Sequence, residues 1–324
     1  MRLGGAIALV TGGAGFIGSH LVDHLIERGV SRVIVVDTLW LGSERNLAAA
    51  RARRPDLEFM KQDAADPDAM RAAIERHRVE IVFNLATRPL GNSFTDPRGA
   101  YMTSVDIAVT LAELLRAGAF ARLVHYSTSE IYGDAVTVPM SEEHPTRPTT
   151  PYAAGKLAAD VLLQSWIELF KIPVLTIRPF NNYGPRQNDG DYAAVIPLTI
   201  RRIASGLPPV LEGTGEQTRD FTFVRDTVRL TADLCETDGA WGKALNVACA
   251  NEVRILDLIQ AICREMGYTG EIERRPARPG DHRRHLACVE RARDLVSFGD
   301  LTPIETGIAE TVAWYRERHA PTRP

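Results

Sequence analysis

Apolar and polar positions alternate along the first half of the chain in blocks of two kinds. Ala6–Val10, Arg32–Asp37, Ile81–Leu85, Leu123–Tyr126 and Val174–Arg178 are apolar runs of strand length. Ile17–Arg28, Pro67–His77, Ala100–Ala117 and Tyr152–Phe170 lie between them and carry helical spacing. Parallel neighbours need a crossover, so this order predicts an α/β fold: a doubly wound parallel sheet with helices on both faces. From about Asn181 the pattern turns irregular, with breaks at Gly184-Pro185, Pro208-Pro209 and Gly213–Gly215. The expected organisation is a dinucleotide-binding domain over 1–180, with some later segments returning to it, and a smaller C-terminal substrate-binding lobe over 181–324. The length of 324 residues exceeds what one compact core usually holds.

Composition narrows the class of function. A formal net charge of -3 favours neither nucleic acid nor an anionic membrane as partner. No apolar run approaches the ~20 residues that span a bilayer. Cys235, Cys249, Cys263 and Cys288 form no C-x-x-C pair, so they read as reduced thiols of a cytoplasmic protein, and no metal site is expected.

The chemistry begins at the first strand. Thr11-Gly12-Gly13-Ala14-Gly15-Phe16-Ile17-Gly18 follows it and opens a helix. Gly12, Gly15 and Gly18 have the G-x-x-G-x-x-G spacing that lets a turn approach a pyrophosphate and a helix pack close to its strand. The helix N-terminus offers free amides to phosphates. The second strand ends in Asp37, whose carboxylate can accept ribose hydroxyls and repel a 2′-phosphate; this predicts NAD rather than NADP. Asp63 and Ala64, and Leu85 and Ala86 at the end of a strand, are further cofactor candidates. Asp63 can equally be a helix cap near Asp66-Pro67.

A second constellation follows the strand Leu123–Tyr126. Ser127-Thr128-Ser129-Glu130 leads, about twenty residues on, to Tyr152 and Lys156, which share one helix face. A tyrosine near an ammonium ionises more readily, so Tyr152 can take a proton from a sugar hydroxyl while Thr128 holds that hydroxyl.

With these marks the chain resembles the extended short-chain dehydrogenase/reductase family, in its branch of nucleotide-sugar epimerases, dehydratases and decarboxylases. The resemblance rests on TGGAGFIG (11–18), Asp37, NLA (84–86), STSEIYG (127–133), YAAGK (152–156), RPFNNYGPRQ (178–187), TRDFTFVRD (218–226) and RPGD (278–281). It implies a Rossmann lobe and tightly held NAD recycled in each turnover, with Thr128, Tyr152 and Lys156 as catalytic set and cofactor contacts from Phe16, Ile17, Tyr152 and Lys156. It implies a nucleotide-diphosphate sugar as substrate, bound by Asn181, Val195, Arg219 and Arg278 with Ser129 nearby, and a homodimer paired through helices at about 100–117 and 152–170. Arg283, Arg284 and His285 are expected mostly at the surface. Arg88 departs from the common pattern and suits either an anionic sugar or a salt bridge.

Glu130 discriminates between reactions. Once carbon 4 of the sugar is a ketone, a carboxylate in reach can remove the proton at carbon 5 and start elimination. The preferred expectation is an NDP-hexose 4,6-dehydratase, although Ser129 stands where many dehydratases carry Asp. A 4-epimerase acting on UDP-glucose or UDP-glucuronate, a UDP-glucuronate decarboxylase and a catalytically silent NAD-binding sensor or scaffold are the alternatives.

Overall fold

The computed structural model describes residues 2–277 and 283–319; Arg278 and the rest of RPGD lie outside the described residues. The first half alternates as the pattern requires: β1 (Ile7–Thr11), α1 (Phe16–Glu27), β2 (Arg32–Val36), α2 (Ala48–Arg53), β3 (Glu58–Met60), α3 (Pro67–His77), β4 (Ile81–Asn84), α4 (Pro97–Arg116), β5 (Arg122–Tyr126), α5 (Pro151–Phe170) and β6 (Val174–Pro179). The second half contributes β7 (Asn181–Tyr183), α6 (Val195–Ala204), β8 (Val210–Glu212), β9 (Thr218–Phe223), α7 (Val224–Cys235), β10 (Ala244–Val247), β11 (Glu252–Arg254), α8 (Ile255–Met266), β12 (Glu273–Arg275), α9 (Glu290–Arg293) and α10 (Ile304–His319).

Seven strands form the main sheet in the order β3-β2-β1-β4-β5-β6-β10, every neighbour parallel. Strands covered on both faces read as continuous apolar runs, and β1, β2, β4 and β5 do so because alternate residues enter opposite cores. Ala8 and Val10 face the cluster that holds Leu21, Leu25, Val228 and Leu234 of α1 and α7. Leu9 faces the other, with Ile74, Ile107, Leu111 and Leu163 of α3, α4 and α5. The order reverses between β1 and β4, so their loops diverge and leave a crevice at the C-terminal ends of the strands.

Two parts of the sheet carry weak sequence signals. The half-buried edge strand β3 is three residues long, too short for a periodicity. β10 lies far along the chain yet pairs with β6, and α7 covers α1, so the segment 224–247 joins the first core rather than the second lobe. The smaller lobe has its own core, in which Tyr183, Phe221 and Phe223 of the β11-β9-β7 sheet meet Ile196, Ile200, Leu258, Ile262, Ile308 and Val312 of α6, α8 and α10.

Helix α5 is anchored at both its start and its first turns. Thr150 caps it by accepting from the Ala153 amide at 3.2 Å, and Pro151 takes the first helical position. One turn on, Gly155 lies against α4: a Cβ there would sit 2.4 Å from the Tyr101 carbonyl oxygen. Gly155→Ala therefore has to push two helix backbones apart, and we expect it to destabilise the protein by about 1–3 kcal/mol. An unchanged urea midpoint in the variant would contradict this.

Candidate active site

The glycine turn is built by close backbone approach. Gly12 has φ +68°, and a Cβ on it would lie 2.8 Å from the Ala86 amide nitrogen at the end of β4. A Cβ on Gly18 would lie 2.2 Å from the Gly12 carbonyl oxygen, so α1 starts hard against the turn. Asp37 ties this turn to the end of β2. Its Oδ2 accepts from the Ala14 amide at 3.0 Å and its Oδ1 from the Leu39 amide at 2.8 Å. Burial pushes its carboxyl up while these two amides hold it down.

A cavity of about 500 Å³ opens over the crevice. Gly12, Gly15, Phe16, Ile17, Gly18, Asp37, Asp63, Ala64, Leu85 and Ala86 line one end, and Thr128, Ser129, Glu130, Tyr152 and Lys156 line the other. A second cavity of about 450 Å³ extends from it into the smaller lobe, lined by Val195 and Arg219 among others. Leu90, Asn181, Asn182 and Gln187 line both. The structure thus brings together every described residue singled out in the sequence as a candidate for catalysis, cofactor or substrate.

The cleft contains polar atoms that the protein does not satisfy. Gln62 Oε1, Asn181 Nδ2 and Gln187 Oε1 are buried without a hydrogen-bond partner among the described residues, and all three side chains line the cleft. Buried polar groups are normally paired, so a donor and two acceptors here fit a polar ligand. The glycine cradle, which a Cβ would fill, and the Asp37 carboxylate fit a dinucleotide in the first cavity. Asp63 lines the cavity, whereas the cap of α3 is Asp66, which accepts from the Asp68 and Ala69 amides at 3.0 Å each.

At the other end, Thr128 begins a short 3-10 turn, its hydroxyl accepting from the Glu130 amide at 3.3 Å. The same hydroxyl bonds the Tyr152 phenol, and the Tyr152 amide donates to Ser93 Oγ at 3.0 Å. Lys156 is buried and donates to the Tyr126 carbonyl oxygen at 2.7 Å. The expectation that its ammonium lowers the Tyr152 pKa is not met in this arrangement. Burial pushes Tyr152 up to about 12, and the nearby Glu130 carboxylate adds to the rise against the Thr128 hydrogen bond. Burial also lowers Lys156 to about 8, with Asp160 opposing that fall.

Two other expectations are revised, the salt-bridge alternative for Arg88 and the surface placement of His285. Arg88 forms no salt bridge among the described residues; its guanidinium lies 4.0 Å from the ring centroid of Trp40. Trp40 in turn stacks on Tyr192 at 5.9 Å, and Tyr192 bonds Thr95 Oγ1 at 2.8 Å. This stack joins loops of both lobes, and both Trp40 and Arg88 line the first cavity. His285 is fully buried and packs on Phe180 at 5.2 Å, because the segment after 283 runs beside β9, where the Asp220 amide donates to its carbonyl. Arg284 is exposed as expected and pairs with Glu252 at 2.7 Å. Arg219 is nearly buried and donates to the Thr218 carbonyl at 2.8 Å.

Sequence reasoning passed over a buried polar chain behind the site. Thr11 Oγ1 donates to Asn84 Oδ1 at 2.8 Å, and Asn84 Nδ2 donates to His125 Nδ1 at 3.1 Å. His125 Nε2 faces Asp160 Oδ1 at 3.8 Å, and Arg178 Nε donates to Asp160 Oδ2 at 3.0 Å. The spacing of Asp160, one turn after Lys156 on the same helix, was the available signal.

Comparison with known proteins places this arrangement. The profile of the NAD dependent epimerase/dehydratase family matches residues 8–248. The chain is 34% identical to a UDP-glucose 4-epimerase of Mycolicibacterium smegmatis, across 96% of this chain and 98% of that protein. It is 32% identical to a dTDP-glucose 4,6-dehydratase of Xanthomonas campestris pv. campestris, across 95% of this chain and 92% of that protein. The solved dTDP-glucose 4,6-dehydratase of Streptomyces venezuelae, with NAD bound, superposes with a TM-score of 0.90 at 28% identity, covering 96% of this chain and 97% of that one.

The Asp37 carboxylate predicts the cofactor preference. A 2′-phosphate beside it would face a like charge, a repulsion of about 4 kcal/mol at ~4 Å near a protein surface. Calorimetric titration should give NAD at least about tenfold tighter binding than NADP, a gap of about 1.4 kcal/mol that this repulsion comfortably covers. Asp37→Ala should narrow that gap. Tighter NADP binding by the unaltered protein would refute the role given to Asp37.

Proposed function

The chain belongs to the NAD dependent epimerase/dehydratase family, whose members compared above are NAD-dependent nucleotide-sugar enzymes, and from that premise we propose that it is an NDP-hexose 4,6-dehydratase. The observation that carries this reading is the Glu130 carboxylate, which lines the sugar end of the cleft close enough to Tyr152 to push its phenol up.

In this reading NAD, when bound, supplies the two-electron acceptor and donor of the cycle, held by the Gly12–Gly18 turn, Asp37 and Asp63. Asn181, Arg219 and Val195 take the nucleotide diphosphate in the second cavity; a guanidinium suits phosphate because its fork pairs with two oxygens. Thr128 and Tyr152 share a hydrogen bond and so present two oxygens to the sugar's carbon 4 hydroxyl. Tyr152 removes the hydroxyl proton as carbon 4 becomes a ketone; because burial and Glu130 hold the phenol high, the phenolate formed in this reading depends on the Lys156 ammonium, one turn along α5, as its cation. The ketone acidifies the proton at carbon 5. Glu130 takes that proton, the freed electron pair forms a carbon 5–carbon 6 double bond as the carbon 6–oxygen bond breaks, and the carbon 6 hydroxyl departs as water on receiving a proton back from the Glu130 carboxyl. Reduction at carbon 6 and reprotonation at carbon 5 leave a 4-keto-6-deoxy sugar and regenerate the cofactor.

One observation favours a second reading. Ser129, buried beside Glu130, offers no carboxylic acid to the departing hydroxyl, and a 4-epimerase needs neither group. Glu130→Gln separates the two. Incubated with UDP-, dTDP-, GDP- and CDP-hexoses, the unaltered enzyme should release a product lighter by one water. The variant should make it at least ~100-fold more slowly, with no solvent deuterium entering carbon 5 and a 4-keto hexose recovered on acid quench. Isomer formation at unchanged mass, unaffected by Glu130→Gln, would establish the epimerase instead. Loss of carbon dioxide from a glucuronate would establish a decarboxylase.

The proposal includes a cytoplasmic homodimer. The four cysteines are unpaired thiols, which suits a reducing compartment. Among the described residues no helix is long and apolar enough to cross a membrane. The outer face of α4 and α5 leaves Val161 61% and Leu169 71% exposed, with Phe170 and Tyr101 beside them. Apolar groups clustered on one helix pair support an isologous four-helix contact. Light scattering after gel filtration should give twice the mass of the 35.7 kDa chain, and Val161→Glu with Leu169→Glu should give the single mass. A monomeric parent protein would exclude the contact.

A further inference from the structure

The reaction proposed above asks Lys156 to carry a positive charge while buried in the protein. An ammonium out of water loses its hydration, and its charge survives only where neighbouring groups replace that loss. One replacement is the Tyr126 carbonyl, which accepts from Nζ at 2.7 Å. That is a dipole, not a counter-charge.

From the geometry of α5 and β6 we infer that Asp160 is the counter-ion of Lys156, a positioning residue that keeps the ammonium charged and so acts on the reaction through it. Asp160 follows Lys156 by four residues on α5, which puts the two side chains on one face of the helix. Both are buried. Arg178 on β6 fixes the carboxylate from the far side, donating from Nε to Oδ2 at 3.0 Å. The other oxygen, Oδ1, is buried with no hydrogen-bond partner among the described residues. The Ser127 hydroxyl, just after β5, also favours the charged form of this carboxylate, so its negative charge is held within the pocket. Removing one partner of a buried ion pair leaves an uncompensated charge, so loss of this carboxylate would be felt by the cations around it, Arg178 and Lys156.

The remaining groups that face the pair do not supply an alternative anion close at hand. From β5, His125 Nε2 stands 3.8 Å from Asp160 Oδ1, and burial and the Lys156 charge keep this imidazole neutral, well below its usual range. The Asn84 amide fixes its tautomer by donating to Nδ1, which leaves the Nε2 proton toward Asp160. From the 3-10 turn after β5, Tyr132 is pushed up to about 12 by burial and stays neutral, bonded to Arg178 and Asn246. Glu142 accepts from the Asn246 amide at 2.8 Å and its influence reaches Tyr132. Glu130 and Tyr152 lie on the cavity side of Lys156 and belong to the reaction itself. Burial lowers Lys156 to about 8, and the negative charge of Asp160 opposes that fall. Burial raises the Asp160 carboxyl, while Arg178 and Lys156 favour its charged form.

The sign follows directly. Without the carboxylate the ammonium loses its proton at lower pH, so activity that needs the charge is lost at lower pH on the alkaline side. The chain has four lysines, Lys61, Lys156, Lys171 and Lys243, so protein grown on lysine labelled with carbon-13 at Cε gives four resonances to follow. Lys156→Met identifies the one that matters. In the NAD-loaded enzyme, Asp160→Asn should lower the Lys156 midpoint by about one pH unit or more. The alkaline limb of kcat/KM should move by the same amount. Asp160→Glu should keep both near their original positions. Should Asp160→Asn not fold because Arg178 is left unpaired, Asp160→Asn with Arg178→Gln removes the ion pair as a unit and should still lower the midpoint. Arg178→Gln alone keeps the carboxylate and should leave the midpoint at or above its original value. A Lys156 midpoint that stays put in both Asp160→Asn backgrounds overturns the inference. A midpoint that moves while the alkaline limb does not supports the pairing and overturns the part given to Lys156 in the reaction, so the two readings fail separately.

Discussion

A cation buried under a substrate cleft must be surrounded by groups that replace its water, and in this protein the ammonium of Lys156 sets that demand. The groups that meet it come from β5, α5 and β6, and they are held in turn from β1 and β4 through Thr11, Asn84 and His125. The chain of contacts runs across the C-terminal ends of the strands, just beneath the floor of the cleft. Its outer end is Thr11, whose neighbour Gly12 makes the closest backbone approach to β4. The glycine turn and the surroundings of the buried Lys156 are therefore joined by one buried polar row. The hydrogen bonds within the row, from Thr11 through Asn84 to His125 and between Arg178 and Asp160, each fix the orientation of the next group.

The cleft above this row is divided by chemistry as well as by shape. Its first part is floored by the main sheet and its second by the smaller lobe, with Asn181 and Gln187 at the join. These two residues follow β6 directly, so the strand that carries Arg178 into the buried row also delivers the residues that face the substrate. The aromatic stack of Arg88, Trp40 and Tyr192 closes the same join from the outside. A cation resting on an indole face is worth about 0.5–1 kcal/mol at an exposed site. That suffices to order a loop and is small enough for the loop to open.

The frame is common to relatives with different products, since the chain is similar to both a 4-epimerase and a 4,6-dehydratase. In the function proposed above, the choice of outcome falls to the 3-10 turn Ser129–Tyr132, whose first two side chains line the cleft. A carboxylate at 130 beside a hydroxyl at 129 is a small change on a fixed scaffold. In that proposal it decides which carbon–hydrogen bond is broken after the ketone has formed, without touching the groups that form it.

By itself the sequence determined the parallel sheet, the glycine turn and the order of Thr128, Tyr152 and Lys156. Each of these is written in local spacing: alternate residues of a strand, i and i+4 on a helix, glycine where φ is positive or backbones touch. It also placed Asp37 and Leu85-Ala86 at strand ends, where an open sheet of this kind gathers its ligands. Local spacing says nothing of which distant charges meet. That Asp160 finds Arg178, that β10 completes the sheet, that His285 is buried and that Arg88 rests on Trp40 all follow from strand order and lobe packing. The direction of the Tyr152 pKa belongs to the same class. The sequence supplied the nearby lysine, but only the tertiary structure decided that burial and Glu130 raise the phenol, because desolvation depends on everything packed around a group and not on its neighbours along the chain.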